Sequence, residues 1–170
     1  MPRISSKLAR CSANSSWYSA AHPVELHDYD RMPPVAVAMT PFPHAVQVRD
    51  PVVRVEALFR DHEIRHIPVL DGDDVVGVIS QRDVYHLVNP ALPRVDKARI
   101  RARDILTPNP YVVELNAPLG EVVAEMGGRR LGCAIVVKDG KLAGILSVTD
   151  VCRILAEVLE VRFGGGGDAA

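Results

Sequence analysis

The chain is expected to be an α/β protein of the α+β type, with two β-α-β-β-α repeats packed about a pseudo-twofold axis. Three observations lead there. First, the sequence repeats itself. Shifted by 67 residues, positions 40–88 fall on 107–155 without a gap, and 12 of the 49 pairs are identical. These include turn residues (Thr40/Thr107, Pro41/Pro108, Pro51/Pro118, Gly77/Gly144) and apolar ones (Val46/Val113, Val55/Val122, Val69/Val136). Second, 48% of the 170 residues are hydrophobic but only 5% aromatic. Cores of Val, Leu, Ile and Ala suit strands buried against helices. Third, the pattern Gly-h-h-Ser-x-x-Asp-h, with h aliphatic, occurs twice, as Gly77–Val84 and Gly144–Val151. Each time it turns a strand into a helix.

The elements follow in order. His44-Ala45-Val46-Gln47-Val48 reads as a short strand after a Pro-rich turn. Pro51 sits where a helix begins, its fixed φ and missing N–H costing nothing there. Val52, Val55, Leu58 and Phe59 recur at helical spacing to about His62. Ile67-Pro68-Val69-Leu70 is a strand, Asp71–Asp74 a tight turn and Val75–Ile79 the returning strand. Ser80 opens a second helix to about Val88. In the second copy the corresponding spans are 111–115, 119–127, 133–137, 142–146 and a helix from Ser147 to about Val161. Pro68 cannot donate to a ladder and is expected at an edge or a non-bonded position.

A unit of this size buries too little surface to be comfortably stable alone. Its sheet has one face on the helices and the other bare. Packing the two bare faces together covers both and creates two equivalent clefts. The organisation is therefore an N-terminal arm (1–32), repeat one (33–88), a linker (89–106), repeat two (107–162) and a Gly-rich tail (163–170). The arm carries Arg3, Lys7 and Arg10, has no acid through residue 22 and lacks a continuous apolar run. Its composition resembles an organelle transit peptide, but a flexible or partner-docked arm is the preferred reading. The linker sets Arg94, Lys97, Arg99, Arg101 and Arg103 against Asp96 and Asp104. It is read as a solvated face, with phosphate contact the alternative.

Twenty Lys and Arg against 21 Asp and Glu give a net charge of −1. That balance argues against a general binder of nucleic acid or membrane surface, and no apolar run is long enough to span a bilayer. The near-neutral total hides a division. Repeat one is acidic, with five Lys/Arg against eight Asp/Glu, while the linker is basic. Cys11, Cys133 and Cys152 are odd in number and far apart, which indicates neither a disulfide framework nor a metal site. Cys133 and Cys152 are expected to be buried, consistent with a cytoplasmic setting.

The repeated junction has two physical readings. Ser with an acid three residues on makes a capping box for the helix. The same geometry can hold a nucleotide. A helix N-terminus favours phosphate, the Ser hydroxyl adds a donor, and an Asp carboxylate accepts bonds from ribose hydroxyls. Gly would let a ligand approach the strand backbone. Physical chemistry alone leaves both readings open.

The doubled unit with its two junctions resembles a tandem pair of cystathionine-β-synthase (CBS) domains, the Bateman module, over about residues 36–160. Met39-Thr40-Pro41, the run Ile64-Arg65-His66-Ile67-Pro68-Val69-Leu70 and Asp71-Gly72 strengthen the match. The resemblance implies a stand-alone regulatory module binding AMP, ADP, ATP or S-adenosylmethionine between its repeats. It also implies a homodimer and an unknown regulated protein, with no catalytic role, nucleic acid or membrane. A CBS pair with unliganded clefts, serving structure or interaction, is the alternative. In one implied cleft Val78, Ser80, Arg82 and Asp83 meet Thr107, Asn109, Tyr111 and Leu131. In the other Ile145, Ser147, Thr149 and Asp150 meet Thr40, Phe42, His44 and Ile64. Asp83 and Asp150 would hold ribose, while Ser80, Arg82, Ser147 and Thr149 would face phosphate. Arg65 and His66 add cations to the Asp83 cleft, whereas Gly132 and Cys133 stand at the matching positions. The Asp83 cleft is therefore expected to prefer phosphorylated adenosines.

Other constellations carry less. His62 and His66 are four apart, but the second enters a strand and no acid or Cys completes a metal set. His22 and His27 are read as surface residues of the arm. Motifs for nucleophilic catalysis, phosphate loops and dinucleotide folds are absent.

Overall fold

The computed structural model describes residues 31–87, 97 and 99–163. The expectations for residues 1–30, most of the linker and the Gly-rich tail lie outside them. Repeat one contains β1 (Thr40–Pro41), β2 (Val46–Gln47), α1 (Val52–His62), β3 (His66–Asp71), β4 (Asp74–Ser80) and α2 (Gln81–Leu87). Repeat two contains β5 (Thr107–Pro108), β6 (Val112–Glu114), α3 (Leu119–Arg129), β7 (Cys133–Lys138), β8 (Lys141–Ser147) and α4 (Val148–Phe163). A 3-10 turn precedes each set, at Val35–Val37 and Ala102–Asp104. Each repeat is thus β-β-α-β-β-α, one short strand more than expected.

That extra strand crosses over. The sheets run β2-β3-β4-β5 and β1-β8-β7-β6, so each repeat lends its first strand to the other's sheet. Thr40 pairs with Ile145 and Thr107 with Val78, both antiparallel. Moving one partner up 67 positions and the other down 67 converts either pair into the other, which is the signature of a twofold relation. The isolated bridges Pro34–Pro118 and Pro51–Arg101 obey the same rule.

The lead-in segments follow their strands. Val35 and Ala38 are buried in the helix-side core of repeat two, with Leu119, Val122, Met126, Val136 and Leu146. Ala102 is buried in that of repeat one, with Val55, Phe59, Ile67, Val69 and Ile79. The end of the expected solvated linker is therefore built into the core of repeat one. There Val52 N–H donates to Ile100 O and Ala102 N–H to Asp50 O, at 2.9 and 2.8 Å. Its charged neighbours Arg103 and Asp104 remain exposed.

A third cluster joins the bare sheet faces. Cys133, Ile135, Val137 and Ile145 pack against Val75, Val78 and Leu142. Burial of such aliphatic surface, at about 25 cal/mol per Å², favours the packed pair over separate repeats. Both copies of the Gly in the junction face the exchanged segment closely. A Cβ on Gly77 would lie 2.9 Å from Thr107 O and 2.7 Å from Leu106 Cδ1, and one on Gly144 would overlap Met39 Sδ. The close approach expected of a ligand is made by the exchanged segment.

Pro68 lies in β3, an interior strand, but outside its ladder with β2, which pairs only Val69 and Leu70, so it takes the non-bonded position expected of it. In repeat two the matching Ile135 N–H donates to Tyr111 O at 2.8 Å. A proline has no such donor, and β2 pairs over two residues where β6 pairs over three. Cys133 is buried as expected, but Cys152 is exposed on α4. The core side of that helix is taken by Val151 and Ile154.

Candidate functional site

Each junction is closed by its own Asp. Ser80 N–H and Oγ–H donate to Asp83 Oδ2 at 2.7 and 2.6 Å, and Asp83 N–H points back to Ser80 Oγ at 3.4 Å. At Ser147 and Asp150 the distances are 2.8, 2.6 and 3.3 Å. The capping box is therefore real at both places, and it changes the chemistry available. The Ser hydroxyl protons are committed to carboxylate, so in this arrangement Ser80 and Ser147 offer a ligand an acceptor, not a donor. The first helical amides are also engaged, Gln81 N–H with Arg65 O at 2.9 Å and Val148 N–H with Gly132 O at 3.1 Å. Phosphate would have to be met mainly by side chains.

The cap does not exhaust the acid. Asp83 uses Oδ2 for both bonds, and Oδ1 has no hydrogen bond among the described residues. Asp150 Oδ1 instead faces Arg153 at 3.8 Å, and Arg153 also reaches Glu157 at 3.7 Å. Arg153 was not among the sequence candidates. Its place three residues after Asp150 on a helix is the signal that could have found it.

The strand exchange brings the two halves of each candidate cleft together. β5 puts Thr107 beside Val78, and β1 puts Thr40 beside Ile145. Asn109 and Phe42 follow in the left-handed backbone region, at φ 52° and 48°. Phe42 is 89% exposed, an aromatic ring held outside the core in a conformation that such residues seldom adopt. Its N–H donates to Ala143 O at 3.0 Å, which helps to pin the turn. Further on, the matching residues differ. Tyr111 lies under Arg129, 5.4 Å from guanidinium to ring centre, while His44 stacks on His62 at 3.8 Å. Burial and then His62 lower the pKa of His44. Ile64 and Leu131 pack against the helix-side cores of their own repeats.

Charge is distributed unequally. Arg65 and Arg82 are exposed and form no ion pair among the described residues, while His66 is half-buried. At the matching positions stand Gly132, Thr149 and Cys133. Burial pushes the Cys133 thiol up to about 12. The histidines four apart are separated, His62 on His44 and His66 against Gly132.

The comparisons agree with this architecture. The CBS-domain family model matches residues 35–89 and 102–157. Protein YlbB of Bacillus subtilis is 31% identical over 119 residues, covering 69% of this chain and 77% of its own length. An inosine-5'-monophosphate dehydrogenase of Korarchaeum cryptofilum is 30% identical over 106 residues; the match covers 62% of this chain but 21% of that enzyme. Among solved structures, the CBS-pair protein CBSX2 of Arabidopsis thaliana superposes with a TM-score of 0.65 at 26% identity, covering 75% of this chain and 97% of that one. CBSX2 has also been solved with AMP (TM-score 0.63, 27% identity, 74% and 97% covered). The CBS domain of the bacterial CNNM/CorC family Mg2+ transporter, in complex with ATP, gives 0.63 at 28% identity, covering 72% and 87%.

Proposed function

The chain belongs to the CBS-domain family, and from that premise we propose that it is a regulatory module sensing adenosine-containing nucleotides, AMP, ADP, ATP or S-adenosylmethionine, in its two inter-repeat clefts. The observation that carries this reading is the pairing of each Ser-x-x-Asp strand with the other repeat's turn, Val78 with Thr107 and Ile145 with Thr40. AMP in CBSX2 and ATP in the transporter domain support the ligand class.

In this reading Asp83 Oδ1 accepts ribose hydroxyls while Oδ2 keeps the cap. Arg82 and Arg65 meet phosphate, and Tyr111, Asn109 and Leu131 flank the other side. In the second cleft Asp150 is already partnered by Arg153, and Phe42 offers a ring to the base. That cleft is the weaker for phosphorylated ligands. The module works as a homodimer acting on another protein. Val148, Leu155, Leu159 and Phe163 lie exposed on α4 and provide an apolar face for a second copy. Among the described residues no helix is long and apolar enough to cross a membrane. No catalytic role is assigned.

Mass spectrometry of small molecules retained by the purified chain tests the reading. An adenosine-containing ligand carried through purification, or a melting temperature raised by added AMP, ADP, ATP or S-adenosylmethionine, is the expected result. A chain that retains none, and whose melting temperature no adenosine ligand shifts, would instead be a structural CBS pair.

A further inference from the structure

His66 stands where the Asp83 cleft meets the contact between repeats. It lies opposite Ser80 in the β3–β4 register. Its ring fills the space that a side chain on Gly132 would need, since a Cβ there would come within 2.5 Å of Nε2. The charged groups acting on it are Asp83 from α2 and Arg65, the residue before it. From β4 it has Ser80, and from the opposing repeat Gly132 brings no side chain. The half-buried imidazole thus feels one carboxylate and one guanidinium, with Arg82 on the same helix as Asp83.

Resting on the reading of this cleft as a nucleotide site, we infer that His66 ties ligand capture to uptake of a proton. The ring is neutral while the cleft is empty and becomes imidazolium when a phosphorylated ligand enters. Burial is the largest influence on the empty site and lowers the imidazole from its ordinary 6.5, Asp83 raising it and Arg65 lowering it further. A phosphate monoester brings between one and two negative charges near neutral pH. It pairs with the arginines that oppose a second cation and adds an opposite charge beside the ring, and both changes raise the imidazole pKa. The sign follows. Because the bound state holds the proton more tightly, affinity is highest at low pH and falls as the pH rises through the bound-state pKa. In the Asp150 cleft Cys133 takes the matching position, with a thiol pushed up to about 12, and the imidazole of that cleft, His44, is stacked on His62, so the His66→Gln variant isolates the Asp83 side.

The test is isothermal titration of the full chain with AMP near pH 7.5, in buffers of different ionisation enthalpy, for wild type and His66→Gln. The AMP phosphate, with a second pKa of about 6, is then almost fully dianionic. Wild type should take up a fraction of a proton, and its Kd should weaken about fivefold more than the variant's between about pH 6.5 and 8. Equal proton uptake in both proteins, with AMP still bound, overturns the inference alone. No binding of AMP, ADP or ATP by wild type overturns the inference, and the nucleotide reading falls with it when S-adenosylmethionine is inert as well. If His66→Gln does not fold, the wild-type imidazole resonances followed against pH decide the matter. An upward move of the His66 pKa on adding AMP supports the coupling, and no move refutes it.

Discussion

Asp83→Ala should weaken AMP binding at least about tenfold, and Asp150→Ala should weaken it much less. A hydrogen bond to a charged group contributes about 1.5–3 kcal/mol, and about 1.4 kcal/mol is a factor of ten in Kd. Losing one ribose contact to Asp83 is therefore enough. The asymmetry has two sources. Arg65 and Arg82 accompany Asp83, where Gly132 and Thr149 accompany Asp150. Asp150 also spends its second oxygen on Arg153, 3.8 Å away. Each substitution also removes a helix cap, at about 1 kcal/mol of stability, so titrations belong well below the unfolding temperature. Equal losses from the two variants, read by isothermal titration, would defeat the ranking of the clefts.

Gly77→Ala should destabilise the fold by about 1–3 kcal/mol, the range for forcing an extra methyl into a packed site. Gly144→Ala should cost less. The new Cβ at position 77 meets the carbonyl of Thr107 at 2.9 Å, and that backbone belongs to β5. It can yield only by loosening the Val78–Thr107 pairing that closes the Asp83 cleft. At position 144 the obstacle is the Met39 side chain, which can rotate away. Urea unfolding of both variants measures the difference. Because the strain falls on β5, Gly77→Ala should also weaken AMP binding while the Ser80–Asp83 junction stays chemically intact. A Gly77→Ala protein as stable as wild type would mean that the exchanged strand is not tightly seated.

Much of this architecture was legible in the chain. The 67-residue period, the apolar spacing around Val55 and Val122 and the turns at Asp71-Gly72 and Asp139-Gly140 place the main strands and helices closely. The need to cover bare sheets pointed to the contact now formed by Ile135, Ile145 and Val78. The strand exchange was not legible as pairing. Thr40-Pro41 and Thr107-Pro108 are too short to show a period, and their partners are distant in sequence. For the same reason the two junction glycines were referred to a ligand, although the nearest atoms belong to Leu106, Thr107 and Met39. Ala102 is buried among charged residues that mark the segment as solvated. Cys152 reads as apolar in sequence but falls on the outer side of α4. At the junctions, sequence alone could not choose between cap and ligand. The distances show the cap in both, and at Asp83 a second oxygen that the cap does not use.

The most direct measurement of the central claim is amide chemical-shift mapping as AMP is added to the isotope-labelled chain. A single cleft built by strand exchange requires residues 78–83 and 107–111 to shift together, with one affinity, although they belong to different repeats. The shifts at 145–150 and 40–44 should be smaller or appear at higher AMP. Shifts confined to one repeat, or scattered away from these four segments and from residues 64–66 and 131–133 beside them, would contradict the account.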